Sequence, residues 1–129
     1  MTVEIKVEGL DRLIAKLGRL HTFSALRAPL VRGVSVLHEA IATYPPPPPN
    51  STYVRTGTLG RRWTTKVQTL TTFRGTIGNN TVYAPDVQDV AKQRPIHRGR
   101  WQTIQSVVSE KRGEILADFQ AAINRLLGE

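Results

Sequence analysis

Five consecutive prolines at residues 45–49 divide this chain of 129 residues. Proline has no amide proton and a fixed φ, so no α-helix crosses the run and no sheet ladder forms along it. The run favours polyproline II at ~3.1 Å per residue, about 15 Å in all. No Arg or Lys lies close to it, which fits a stiff connector better than a proline ligand for an adaptor domain. Regular elements are therefore sought separately on either side.

On the N-terminal side, Val3, Ile5 and Val7 alternate with Glu4, Lys6 and Glu8. This pattern predicts a short strand with one buried face. Gly9 breaks it. Leu10, Leu13, Ile14, Leu17 and Leu20 then fall on one helical stripe opposite Arg12, Lys16 and Arg19, with Asp11 in the first turn. After a short link a second helix is expected through Leu30, Val31, Val34, Leu37, His38 and Ile41. Pro29 is placed in its first turn, where proline is tolerated.

Beyond the prolines, residues 50–60 are polar and turn-rich and read as an extended loop. Residues 61–79 predict a hairpin. Trp63, Thr65, Val67 and Thr69 alternate on one strand, and Phe73, Gly75 and Ile77 on the next. Gly78-Asn79-Asn80 signals a turn. Tyr83-Ala84-Pro85 leads into a short helical piece at residues 86–92, and residues 93–100 read as a basic loop. Trp101, Ile104, Val108, Ile115, Phe119, Ala122, Ile123 and Leu126 sustain a last helical stripe. A helix over residues 101–127 would extend ~40 Å. Gly113 marks a break or kink in it. A stripe of that length points to packing on another subunit, or to a helix bent around its own core.

The expected fold is one α+β domain over residues 1–129. A small antiparallel or mixed sheet joins the N-terminal strand to the central hairpin. Two N-terminal helices and a long C-terminal helix pack it, with extended loops at 45–60 and 93–100.

Composition narrows function. The chain has no cysteine, which excludes disulfide scaffolds, thiolate metal sites and cysteine nucleophiles and suits a reducing cytoplasm. No apolar run approaches the ~20 residues of a membrane span, so no membrane partner is expected. The N-terminal alternation does not read as a signal peptide. The net charge is +8, concentrated in residues 51–100, where nine basic residues face two acidic ones. Arg55, Arg61, Arg62, Lys66 and Arg74 form one cluster, and Lys92, Arg94, Arg98 and Arg100 a second. Such a middle faces nucleic acid, an anionic partner or an acidic subunit surface, or is a solubility-tuned surface.

No catalytic or metal-binding set emerges, and no cofactor is expected. His21, His38 and His97 are scattered. His38-Glu39 opens like a zinc-protease motif, but Ala42 stands where the second histidine would be. Asp86 and Asp89, three residues apart, would share a face on a helical turn. A hydrolytic reading would rest on His97 with Asp86 or Asp89, but the simpler role of these carboxylates is counter-charge to nearby cations. Gly57-Thr58-Leu59-Gly60 and Gly75-Thr76-Ile77-Gly78 match the loop with which KH domains clamp a nucleic-acid backbone, without its two flanking helices. Tyr53, Trp63, Tyr83 and Trp101 lie near the basic clusters and are candidates to stack bases or to fill the core.

The order of short motifs carries more. Gly9-Leu10-Asp11-x-Leu13 is followed by Tyr44-Pro45-Pro46, by Tyr53-Val54-Arg55-Thr56-Gly57-x-Leu59 and by Trp63. Next come Gly75-x-Ile77-Gly78-Asn79, Tyr83-Ala84-Pro85 and Val87-Gln88. Gln93 and His97-x-Gly99-Arg100-Trp101 precede the long helix. This sequence resembles a family of small structural proteins from the neck and minor-tail gene cluster of long-tailed bacteriophages and prophages. It departs from that pattern at Asp86, where an aromatic residue is common, and at Arg62, where a small polar residue often precedes Trp. The resemblance implies a non-enzymatic virion protein of the head–tail junction or proximal tail, made in the host cytoplasm. It implies a ring between head portal and tail tube, six-fold as the first expectation and twelve-fold as the second. Its partners would be copies of itself and neighbouring neck and tail proteins. The nine basic residues become candidates for subunit interfaces or for a lumen contacting passing DNA without reading sequence. Tyr53, Thr56, Gly57, Leu59, Trp63, Gly78, Asn79, Tyr83, Ala84, Pro85, His97 and Trp101 become motif residues that shape the fold. The alternative is a small basic protein that binds nucleic acid non-specifically on its own.

Overall fold

The computed structural model describes residues 1–46, 49–50 and 57–128. The middle of the proline run, Tyr53, Arg55 and Thr56 lie outside the described residues. Strand β1 (Thr2–Lys6) leads into helices α1 (Leu10–Leu17) and α2 (Arg19–Ile41). After the prolines come a short helix α3 (Thr58–Arg61), strands β2 (Trp63–Gln68) and β3 (Arg74–Asn79), and helix α4 (Ala84–Gln88). A single 3-10 turn (Pro95–His97) precedes the last helix, α5 (Ile104–Leu126). The fold is α+β, as expected.

The sheet is wholly antiparallel in the order β1-β3-β2. Val3 pairs with Ile77 and Ile5 with Gly75, and across β3 Trp63 pairs with Asn79 and Val67 with Gly75. Period-two alternation sends this set to one face, against the helices. The opposite face carries Glu4, Lys6, Lys66, Arg74 and threonines. Glu4 lies 3.7 Å from both Lys6 and Arg74.

Helix α2 lies across the inner face and meets it most closely at Gly75. A Cβ there would sit 2.5 Å from Val34 Cγ2 and 3.1 Å from Leu30 Cδ1. No side chain larger than hydrogen fits without moving the helix. On its other flank α2 packs against α5. Phe23, Leu26, Leu30, Phe73, Phe119 and Ala122 fill one half of the core, and Val34, Leu37, Ile41, Trp63, Ile77, Ile104 and Val107 the other. Arg32 clips the two helices outside the core, its Nε donating to Asp118 Oδ2 at 2.7 Å and its Nη2 to Oδ1 at 2.8 Å. That guanidinium holds the Asp118 carboxyl below its usual range.

The helix boundaries differ from the sequence expectation in instructive ways. The first stripe ends at Leu17, because Gly18 has φ 87°, a conformation that glycine adopts cheaply. Leu20 therefore belongs to α2, leaves the stripe and is 87% exposed. Pro29 is not in a first turn but well inside α2. Its ring is fully buried, and that burial offsets part of the cost of the missing amide proton. Helix α5 runs through Gly113 without a break and starts at Ile104, where Thr103 and Ser106 form a reciprocal capping box. Trp101 thus stands outside it. Its 23 residues are matched by the 23 of α2, so α5 has an intramolecular partner of its own length. The loop expected at 50–60 contains α3. The expected turn at 78–80 begins only after Asn79.

Gly75→Ala is expected to destabilise the protein by about 1–3 kcal/mol. The double variant with Val34→Ala, which removes the clashing methyls, should lose less than the sum of the single changes. Urea unfolding midpoints of the four proteins check this, and simple additivity would contradict the tight approach.

Candidate functional site

The two ends of the sheet are unlike, and one of them gathers most of the motif residues. At this end β3 finishes at Asn79, a buried side chain used on both sides. Its Nδ2 donates to Leu59 O at 2.8 Å, and its Oδ1 accepts from Thr81 N at 2.9 Å. The first bond ties α3 to the sheet, and the second turns the chain toward α4. Trp63, across the ladder, donates its indole N–H to Tyr44 Oη at 2.7 Å. Burial raises the Tyr44 phenol above its ordinary value, partly opposed by that bond. The Tyr44 and Trp101 rings pack at 5.0 Å with a tilt of 45°, and His97 meets Trp101 edge-on at 6.0 Å.

Glutamine amides hold the loops around these rings. Gln93 Nε2 donates to Val87 O at 2.7 Å and Trp101 O at 3.1 Å, closing the segment 93–101 into a compact turn. Gln88, fully buried, donates to Ile41 O at 3.3 Å. Gln102 donates to Ala40 O, and to Thr43 O at 2.7 Å. The last two thereby tie these loops to carbonyls at the end of α2 and just beyond it.

Between these pieces opens a pocket of about 370 Å³. Leu59, Val87, Tyr44 and Trp101 give it apolar walls, and Tyr83, Asp86, Arg94 and His97 line its polar side. Ala84 is fully buried beneath it, packed with Leu59 and Val87. Asp86 and Arg94 lie 3.6 Å apart. His97 is held below its ordinary pKa, first by burial and then by Arg100 and Arg94, with Asp86 opposing.

No family model, curated protein or solved structure matches the chain.

Gly57, Leu59, Trp63, Asn79, Tyr83, Ala84, Pro85, His97 and Trp101 all stand at or beside this junction, and Gly78 adjoins it in β3. The nine cations do not form one patch. Arg55 is outside the described residues. Arg61 and Arg62 are exposed at the end of α3. Lys66 lies on the outer face of the sheet. Arg74 lies on that face too, at the far end beside the hairpin turn. Lys92, Arg94, Arg98 and Arg100 are exposed along the turn that borders the pocket. Asp86 and Asp89 do not share a helical face, because α4 ends at Gln88 and Asp89 is extended (φ −106°, ψ 122°). Asp89 instead accepts from Ala91 N at 3.0 Å, while Asp86 lines the pocket together with His97. Neither Gly-x-x-Gly match lies between two helices in the KH manner. One opens α3 after residues outside the description and the other is inside β3. Among the described residues no cluster of three or more His, Asp or Glu could hold a metal ion.

The sequence reading missed an apolar surface. Val82 is 95% exposed and Ile96 69%, with Val90 and Tyr83 also exposed. All four adjoin the pocket or its basic turn in sequence. The opposite end carries a second such surface. Leu70, at the hairpin turn, is 84% exposed, and Leu20 is brought to the same end by Arg19, whose Nη2 donates to Thr71 O at 2.9 Å. Val82, Ile96 and Leu70 fit neither stripe nor alternation, whereas Leu20 fitted the first stripe in spacing and Tyr83 was visible as a motif residue.

Two outcomes check the junction. Asn79→Ala leaves the Leu59 carbonyl and the Thr81 amide without their partner and should cost about 2–3 kcal/mol in chemical unfolding. For His97, the unfolded chain binds the proton more readily than the folded one. The contribution of the neutral ring is therefore complete above the unfolded value of ~6.5 and is lost as pH falls through the lower folded value. Between pH 7.5 and 5 the melting temperature should fall, and by less in His97→Asn. An equal fall in both would remove His97 from the account.

Proposed function

We propose that the protein is a non-enzymatic connector of the head–tail junction or proximal tail of a long-tailed phage particle, working as a ring of copies between two unlike neighbours. The observation that carries this is the pair of unlike exposed surfaces at opposite ends of one small subunit. One end has the pocket, Val82, Val90, Ile96 and four cations. The other has Leu70 and Leu20 beside Arg19 and Arg27. Exposed apolar residues of this size, set among arginines, have the composition of protein–protein interfaces. A subunit with different surfaces at its two ends links different partners above and below it, and copies set side by side close into a ring when the rotation allows. Most described motif residues between Tyr44 and Trp101 lie at one of these ends, while Gly9-Leu10-Asp11-x-Leu13 and Gly75 lie toward the other. Six-fold symmetry is the first expectation and twelve-fold the second. No helix among the described residues is long and apolar enough to cross a membrane.

A second reading, non-specific binding of nucleic acid by the lone subunit, draws on the outer sheet face. There Lys6, Lys66 and Arg74 stand among threonines with Glu4 as counter-charge. It requires DNA affinity that falls steeply with salt.

Antibody-gold labelling of purified particles from the source strain tests the first reading. Label at the head–tail joint, with a copy number divisible by six in quantitative mass spectrometry, is the expected result. Particles without label, under an antibody that recognises the assembled protein, would overturn it.

A further inference from the structure

We infer that the pocket between α3, α4 and the 93–101 turn is a docking site for an apolar side chain flanked by carboxylates, presented by a protein other than a second copy of this chain. This rests on the connector reading only for where that partner sits; the chemistry comes from the site itself. At about 370 Å³ the pocket lies in the range of sites that enclose a small ligand or a single large side chain. Its walls are Leu59, Val87 and the Tyr44 and Trp101 rings. Tyr44 Oη accepts from Trp63, and Gln93 below is committed to Val87 O and Trp101 O. On the polar side Asp86 has Arg94 at 3.6 Å, and His97 Nδ1 is buried without a hydrogen-bond partner among the described residues. The apolar walls therefore accept apolar surface, and the polar groups lie to one side of them.

The rim has the opposite character. Residues 92–100 carry Lys92, Arg94, Arg98 and Arg100 and no acidic residue. Arg94 has Asp86 at 3.6 Å, while Lys92, Arg98 and Arg100 form no ion pair among the described residues. An apolar anchor with carboxylates beside it satisfies walls and rim together, and arginine forms the stronger, bidentate bonds to carboxylate.

Two other occupants fit less well. On a second copy, Leu70 comes with Arg27 at Thr69 and Arg19 at Thr71, so it would bring cations onto cations, and exposed Leu116, beside Glu114 and Asp118, has Asp118 already paired with Arg32. A nucleobase needs an open parallel slot, but the Tyr44 and Trp101 rings are packed on each other at 45°.

The test uses the whole protein, labelled with ¹⁵N, and its two indole N–H signals. Trp101 lines the pocket, and Trp63, hydrogen-bonded to Tyr44, reports on the fold beneath it. The probe is the capped peptide Asp-Glu-Phe-Glu-Asp, with Lys-Lys-Phe-Lys-Lys and Asp-Glu-Ser-Glu-Asp as comparisons. The expected result is a saturable shift of Trp101 with a Kd below about 1 mM for the first peptide alone. The affinity should fall at least fivefold in Arg94→Ala/Arg98→Ala, whose unchanged Trp63 signal shows an intact fold. No saturable shift, or equal binding of the lysine or serine peptide, overturns the proposal. So does a concentration-dependent shift of Trp101 without peptide, which would assign the pocket to a second copy. Displacement of the peptide by oligo-dT with a saturated shift of its own would assign it to nucleic acid. Particle labelling is independent of all these arms, so failure here leaves the connector reading standing, and the reverse also holds.

Discussion

The approach of α2 to the central strand at Gly75 sets the position of almost everything else. With Leu30 and Val34 seated directly on the backbone of β3, α2 lies close enough for Ile5 and Val67 to fill in around it. Its far side is then available to α5, which runs back along it over the same length and is fixed by Arg32 and Asp118. Because α2 is one continuous helix, its two ends are carried to the two ends of the sheet. Arg19 and Arg27 reach the hairpin turn, and the Ile41 and Ala40 carbonyls accept from Gln88 and Gln102. The pocket is built on that second end. A shift of α2 at Gly75 would therefore be felt at the loops that shape the pocket, through hydrogen bonds to helix carbonyls.

The periodic parts of this design were legible from residues alone. Alternation at Val3–Ile5 and from Trp63 to Ile77 gave the sheet, and the long stripes gave the helices. The failures lie where one residue overrides a pattern. Leu20 continued the first stripe in spacing, but Gly18 turned the chain before it. Pro29 looked like a helix start because proline is usually found there. Burial of its ring keeps it well inside α2 instead, and burial is a property of the assembled core. The length of α5 invited an external partner, and α2, equally long, supplies an internal one. At the pocket, the aromatic and glycine motif residues were visible as a sequence of short words. Gln88 and Gln102 were not visible as ties to the end of α2. A glutamine that donates to a distant backbone carbonyl leaves no mark in spacing or composition.

The charge of the chain invites a nucleic-acid reading, and the structure disperses that charge. Arg74 and Lys66 lie on the outer sheet face, Arg61 and Arg62 beside α3, and the remaining described cations of the basic middle along the turn at 92–100. That last group shares its surroundings with the exposed Val82, Val90 and Ile96, and Arg74 lies toward exposed Leu70. A polyanion gains from clustered cations and nothing from Val82 or Ile96, whereas a folded partner gains from both. The apolar residues, more than the arginines, favour protein as the partner at this end.

The same mixture bears on symmetry. An isologous dimer buries one patch against its own copy. If the pocket end met itself, Lys92, Arg94, Arg98 and Arg100 would face their own equivalents, with Asp86 and Asp89 as nearby counter-charges. If the hairpin end met itself, Arg19 and Arg27 would do the same. Like charges at close range in a desolvated interface cost several kcal/mol. Two-fold pairing is thus penalised at both apolar surfaces, while contacts with unlike, acidic surfaces are not. Under the connector reading proposed above, this charge at both ends fits a subunit held by complementary neighbours rather than by its own copies at these surfaces.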